Sequence, residues 1–220
     1  MIFFLKAITE IKKIGNKMKS KFDEKLFAGE EPFAIFRRWL EEARKTEVND
    51  PDAIALATVD QEGLPNVRMV LLRIIEDDGF VFFTNYGSKK AKEAFLSKKA
   101  AFNLHWKSLR RQIRVRGHVE KEDGIIADKY FSEREVGSQT AAWASRQSEI
   151  LTDRQELIEK WQSYKNEFKQ KVARPDFWGG IRIKPIQIEF WADGQYRLHD
   201  RFVWERGLGE KVWQVRRLYP

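Results

Sequence analysis

The 220-residue chain is 42% hydrophobic, with 8 Trp and 16 Phe, which is enough for one buried core and excludes a disordered protein. It has no cysteine, so disulfides, thiolate metal sites and a cysteine nucleophile are excluded. Its net charge of +8, from 41 basic and 33 acidic residues, admits a nucleic-acid partner.

Half of that excess sits at the start of the chain, where residues 1–25 carry seven lysines against three acids. Residues 1–30 read as a loosely held basic extension closed by GEEP, and residues 31–220 as a single domain. The opening MIFFLKAITEIKK has a short apolar part and no small-residue cleavage site, so no signal peptide is expected. No apolar run approaches the ~20 residues of a membrane span. The expected location is the cytoplasm, with no membrane partner.

PFAIFRRWLEEARK predicts a helix, with Phe33, Phe36, Leu40 and Ala43 at helical spacing and NDP as its stop. A strand-rich middle follows. AIALATV (53–59), VRMVLLRII (67–75) and FVFFTN (80–85) read as strands, with Asp78-Gly79 as a hairpin signal. A helix, SKKAKEAFLSKK, follows Gly87, and then AAFNLHW (100–106) and RQIRVRGHVE (111–120) are strands again. In the latter, Ile113, Val115 and Val119 alternate with Gln112, Arg114, Arg116 and His118, giving one apolar and one polar face.

Helices are predicted over 123–132 and 152–172. In the second, Leu157, Trp161, Tyr164, Phe168 and Val172 form a stripe, and Thr152 with Gln155 resembles a capping box. GIRIKPIQIEFW, RFVWER and KVWQVRRL close the chain as strands. About eight strands with inserted helices point to a mainly β protein, a closed antiparallel barrel with flanking helices. A doubly wound parallel sheet would need regular strand–helix alternation, which is absent.

Four segments carry candidate chemistry. In TNYGSKKAKEAF, Lys89 and Lys90 occupy the first helical turn, where cations oppose the helix dipole unless an anion arrives. A phosphate site and a solvated lysine-rich helix both stand at this point. Arg68 and Arg73 bracket the apolar run MVLL in one strand, and point to opposite faces unless a bulge intervenes. Tyr130, Arg134 and Ser138 recur every four residues and offer phosphate-binding groups, with Gln147 and Ser148 further on. RLHDR (197–201) gathers two arginines, an aspartate and a histidine, for which a solvated turn is the bland alternative.

There is no HExxH, P-loop, GxGxxG or GxSxG, and His105, His118 and His199 lack zinc-site spacing, so no metal is expected. An enzyme built this way needs an organic cofactor for electron chemistry. Two phosphate-ready clusters suit two phosphorylated molecules, one cofactor and one substrate.

The segments ATVDQEGLPNVRMVLLR, FVFFTNYGSKKAKE, RQIRVRGHVE, YFSEREVGSQTAAWASRQS, FWGGIRI and IEFWADGQYRLHDR resemble, in order, those of the pyridoxamine 5′-phosphate oxidase family. The resemblance implies a split β-barrel binding flavin mononucleotide (FMN) at the interface of an intertwined homodimer. It implies that Arg68, Lys89 and Lys90 serve the flavin phosphate, with Thr84 nearby. The rest of the flavin would fall to the 68–73 strand (Arg68, Met69, Val70, Leu71, Leu72, Arg73), Phe83, Gln112, Gln147, Ser148, Trp191 and Arg201. Tyr130, Arg134, Ser138 and Arg73 would hold the substrate phosphate. Arg197, Leu198 and His199 would lie over the pyridine ring, with Arg197 and His199 as the catalytic pair. The implied reaction is net hydride transfer from the substrate's 4′ carbon to flavin, with oxygen as final acceptor, giving pyridoxal 5′-phosphate and hydrogen peroxide.

Two positions depart from the family pattern. The family usually has lysine where Arg73 stands and arginine where Lys89 stands; charge survives at both, but a planar fork and a point charge differ in geometry. Three alternatives remain open: a related split-barrel oxidase acting on phenazine precursors, a flavin- or pyridoxal-phosphate-binding protein without turnover, and a nucleic-acid binder. The core-like spacing of the aromatics and the concentration of charge in the extension argue against the last.

Overall fold

The computed structural model describes residues 24–27, 31–168 and 172–220; most of the basic extension lies outside the described residues. Helix α1 spans Pro32–Thr46, with Pro32 in its first turn and Glu31 accepting the Phe33 N–H. Its apolar face is fully buried: Phe33, Ile35, Phe36, Trp39 and Ala43 are all at 0% exposure. Phe33 and Phe36 pack on Phe80, and Trp39 meets Phe190 edge-on. Each such side chain contributes about 1.5–3 kcal/mol of burial, so α1 is an integral part of the core.

Strands β1 (Ala53–Val59), β2 (Pro65–Glu76), β3 (Gly79–Asn85), β4 (Lys99–Trp106), β5 (Arg111–Glu122), β6 (Trp178–Ala192), β7 (Asp200–Glu205) and β8 (Gln214–Leu218) form one sheet. Its order is β3-β2-β1-β4-β5-β6-β7-β8, and β3 also pairs with β6. That pairing closes β1–β6 into an antiparallel barrel and leaves β7 and β8 outside it. Strand β6 does two jobs along its length. Trp178–Ile183 pairs with β3, while Gln187–Ala192 pairs with β7. The register against β5 shifts between Arg116 and Gly117, where a Cβ on Gly117 would come within 2.2 Å of the Lys184 carbonyl oxygen. Only glycine permits that approach.

The helices between strands are α2 (Lys89–Ser97), α3 (Ile125–Ser132), α4 (Val136–Ala144) and α5 (Arg154–Phe168). The apolar stripe on α5 faces α4 rather than the barrel. Trp161 Nε1 donates to the Gly137 carbonyl, and Tyr164 and Phe168 pack on Trp143. At the start of α5, Asp153 accepts the Gln155 N–H, in place of the Thr152–Gln155 box expected from the sequence. Among the described residues no helix is long and apolar enough to cross a membrane.

Candidate active site

A cavity of about 460 Å³ opens between β2, β3, α3, α4 and the start of β6. One wall is an aromatic stack. Phe83 lies 4.0 Å from Tyr130 and 5.5 Å from Trp178, each at 7° between planes. The Arg134 guanidinium sits 4.7 Å over Trp178, and its Nη1 is buried with no acceptor. Burial lowers the Arg134 pKa, Tyr130 opposes that, and nearby Arg73 adds to it. A desolvated guanidinium with a free N–H, beside a second cation, is built for an anion.

Tyr130, Arg134 and Ser138 all line this cavity, but not as one helical face. Helix α3 ends at Ser132 and α4 begins at Val136. Gln139 fixes the break: its Nε2 faces the carbonyls of Phe131, Ser132 and Arg134 at 2.8–3.1 Å. The four-residue spacing therefore succeeds through a tethered corner between two helices.

Arg73 reaches the cavity through a β-bulge. Leu72 pairs with Phe82 and Ile74 with Val81, so Arg73 is the extra residue on β2. Its Nη1 donates to Asp52 Oδ2 at 2.8 Å. Met69, Val70 and Leu71 line the same wall, while Leu72 turns inward at 4% exposure.

At another side of the cavity stands Lys90, 9% exposed. Its ammonium donates to Thr84 Oγ1 at 3.2 Å and Ser88 Oγ at 3.3 Å. Burial, then the charge of Arg68, push its pKa below the ordinary lysine range. Thr84 in turn donates to Gln147 Oε1. Ser88 precedes α2 without capping it by its side chain. A buried ammonium met by hydroxyls at an uncapped helix start is a second anion-ready point.

Behind Lys90 lies Arg68, whose Nη1 donates to the Leu56 carbonyl and Thr58 Oγ1 and whose Nη2 meets Glu93 Oε2 at 3.3 Å. Glu93, on α2, is 5% exposed and also accepts from Thr58 and Asn66. Lys89 lies 3.9 Å from Glu93 and opens, with Ser148, onto a different cavity.

The remaining sequence-derived candidates form a separate cluster. Gln112, Trp191 and Arg201 are neighbours across β5, β6 and β7. Arg201 Nε donates to buried Glu189 at 2.8 Å, and the His199 ring packs 4.7 Å from Trp191. Leu198 and His199 line a cavity with the C-terminal residues. Tyr196 and Arg197 both have left-handed backbones, with φ of +56° and +65°, which stores strain in this loop. Asp200 pairs with Arg217 rather than with either arginine of RLHDR.

The two clusters lie at opposite ends of β6. Phe83, in the first, pairs with Gly180, and Gln112 and Arg201 pair with Trp191. At ~3.3 Å per residue, Gly180 and Trp191 are separated by about 36 Å of strand. None of Gln112, Trp191, Arg197, His199 or Arg201 lines the first cavity.

Sequence reasoning missed three contributors. Trp178 was part of a quoted motif but had no assigned role, and its stacking depends on β3–β6 closure. Glu93 carried only a weak signal, four residues after Lys89. Asp52 had none.

A family model described as pyridoxamine 5′-phosphate oxidase matches residues 40–174, and one described as the pyridoxine 5′-phosphate oxidase C-terminal dimerisation region matches residues 178–220. The chain belongs to the pyridoxamine 5′-phosphate oxidase family. It is 56% identical over 197 residues to the pyridoxine/pyridoxamine 5′-phosphate oxidase of Ruegeria sp. (strain TM1040), covering 90% of this chain and 98% of that one. The same-named protein of Cereibacter sphaeroides (strain ATCC 17029 / ATH 2.4.9) is 57% identical over 195 residues, covering 89% and 98%. Among solved structures, PhzG from Burkholderia lata 383, in complex with tetrahydrophenazine-1-carboxylic acid, superposes with a TM-score of 0.84 at 31% identity, covering 90% of this chain and 97% of that one. As a member of the pyridoxamine 5′-phosphate oxidase family the chain is an FMN-dependent flavoprotein oxidase, and its C-terminal part is a dimerisation region. The split-barrel fold expected from the sequence is the one observed.

Proposed function

We propose that this protein oxidises pyridoxamine 5′-phosphate, and pyridoxine 5′-phosphate, to pyridoxal 5′-phosphate. With the amine the balance is substrate, water and oxygen in, and aldehyde, ammonia and hydrogen peroxide out. One observation carries the reading: a single cavity holds two anion-ready cations, Lys90 and Arg134, neither paired with a carboxylate among the described residues. One suits a cofactor phosphate and the other a substrate phosphate.

The residues fit FMN. Lys90, Thr84 and the start of α2 would hold its phosphate, with Arg68 and Lys89 adding positive charge around Glu93. The 68–73 strand, Phe83, Gln147 and Ser148 would flank the remainder. When bound, FMN supplies the two-electron acceptor and passes the electrons to oxygen. Arg134, Tyr130, Ser138 and Arg73 anchor the substrate phosphate, which fixes the 4′ carbon without needing a protein nucleophile. Gln112, Trp191, Arg197, Leu198, His199 and Arg201 would come from the partner subunit, a reading supported by their place at the far end of β6 from the cavity. Arg197 and His199 then cover the pyridine ring and exclude water from the reacting carbon. Residues 31–220 act as one catalytic unit that also takes in the described segment 24–27, whose Phe27 packs on Trp39 and Phe202; the rest of residues 1–30 is an extension, and the enzyme works in the cytoplasm.

The test is the visible spectrum of the purified protein under anaerobic addition of pyridoxamine 5′-phosphate. Bleaching of a flavin spectrum with formation of aldehyde is the expected result. A spectrum that stays yellow rejects this substrate.

A further inference from the structure

Arg73 enters a cavity that already holds Arg134, and like charges in one cavity repel. Its side chain is about one-third exposed, at 35%. A free arginine there would turn to water, where its charge is solvated and its rotamer entropy is kept. Something must aim it inward.

We propose that Asp52 is a positioning residue that aims Arg73 at the substrate phosphate; the proposal rests on the substrate site described above. Asp52 grips the β2 bulge twice. Its backbone carbonyl accepts the Leu72 N–H at 2.9 Å, and its carboxylate accepts from Arg73 Nη1 at 2.8 Å. The grip is itself anchored. The neighbouring Pro51 carbonyl accepts from the indole of Trp106, which is 2% exposed, at 2.8 Å. A rigid loop therefore holds the fork of a flexible side chain at one end.

The choice of arginine follows from this arrangement. A guanidinium has five N–H donors in a plane, so one edge can be held by Asp52 while others remain for a second anion. An ammonium has three donors but no planar fork, so contact with Asp52 would not fix the direction of its remaining donors. The Asp52–Arg73 pair also leaves the cavity less positive than two bare arginines would, and so limits their mutual repulsion.

The test is a double-mutant cycle on the flavin-loaded enzyme: the unaltered chain, Asp52→Ala, Arg73→Ala and the double variant. Asp52→Ala keeps the backbone carbonyl and removes only the carboxylate. Two constants are read: KM for pyridoxamine 5′-phosphate, and the equilibrium Kd of pyridoxal 5′-phosphate from its perturbation of the flavin absorbance. In the unaltered background Asp52→Ala should raise both by about fivefold, the upper end for a partly exposed ion pair, with kcat changed less than about twofold. In the Arg73→Ala background it should change neither. An equal rise in both backgrounds, or none in the first, overturns the proposal. If Arg73→Ala raises both constants and Asp52→Ala does not, the substrate site stands and the role of Asp52 falls. If Arg73→Ala changes neither constant, the substrate site itself has been misplaced, and the proposal fails with it.

Discussion

The Arg134 guanidinium lies 4.7 Å over the Trp178 ring, with its Nη1 buried and without an acceptor. The sequence separates these residues by two helices and a loop. Trp178 is brought under Arg134 by β3–β6 pairing, and Arg134 is held at the α3–α4 corner by the contacts of Gln139. Stacking on an indole orients a guanidinium at a cost in solvation that only an incoming anion recovers.

Arg134→Ala should therefore raise KM for pyridoxamine 5′-phosphate by about 10–100-fold, the range for losing a charge-assisted hydrogen bond. FMN affinity should not change. Trp178→Leu should weaken substrate binding less, through Arg134 alone, so that it adds little in an Arg134→Ala background. Steady-state kinetics beside a flavin titration checks both.

If Lys90 holds the FMN phosphate as proposed, it trades stability for cofactor binding. Its folded pKa is lowered from 10.5 by burial, then by Arg68. A lysine with a depressed folded pKa costs stability while it is charged. That cost is relieved as pH rises from the folded value toward the ordinary one, because the unfolded chain then binds more protons. Lys90→Met should thus raise the thermal midpoint of the FMN-free protein and lower FMN affinity by about tenfold or more. Riboflavin, which lacks the phosphate, should bind both proteins alike. Flavin fluorescence titration and thermal melts read the two effects separately.

Glu93 has the opposite sign. Burial raises its pKa, but hydrogen bonds from Thr58 and Asn66 and the charges of Arg68 and Lys89 outweigh it and leave the carboxyl below its ordinary value. Its stabilising effect is full above the ordinary carboxylate pKa and is lost as pH falls through the lower folded one. Glu93→Ala leaves Arg68 without its carboxylate and should cost about 3 kcal/mol at neutral pH. Urea denaturation at pH 7 and at pH 3 should show the difference shrinking in acid.

A composite site predicts complementation between two impaired variants, assayed with substrate well below the raised KM of Arg134→Ala. Arg134→Ala disables the cavity of its own chain, and Arg197→Met disables the cluster it lends to the partner subunit. Refolded together in equal amounts, they should regain about a quarter of wild-type activity, because half of the dimers carry one intact site out of two. Alone, Arg197→Met should cut kcat/KM by about 100-fold while retaining FMN. Absence of recovery on mixing would place both residues in a single-chain site.

Much of the cavity lining was legible because anion-ready residues stand in unusual places. Two lysines at a helix start, and arginines within an apolar strand, cost stability without an anion, and the sequence displays them openly. Tyr130, Arg134 and Ser138 were found by a spacing argument whose helix does not exist as one element. Lys89 and Lys90 read as a pair, yet they face different cavities, because adjacent helical residues point about 100° apart. Glu93 and Asp52 stayed hidden because a carboxylate on a helix or in a turn is ordinary until its partners are known.

The sequence by itself determined the strand count, the alternation that places one face of each strand inward, and the inventory of cations and aromatics. Those are local properties, written in periods of two and 3.6 residues. The tertiary structure alone decided which strands close the barrel, β3 on β6, the bulge that turns Arg73 into the cavity, the corner between α3 and α4, and the length of β6 that separates Trp191 from Phe83 along the strand. Each of these depends on pairing between distant segments, and one extra residue in a ladder leaves no mark on local periodicity.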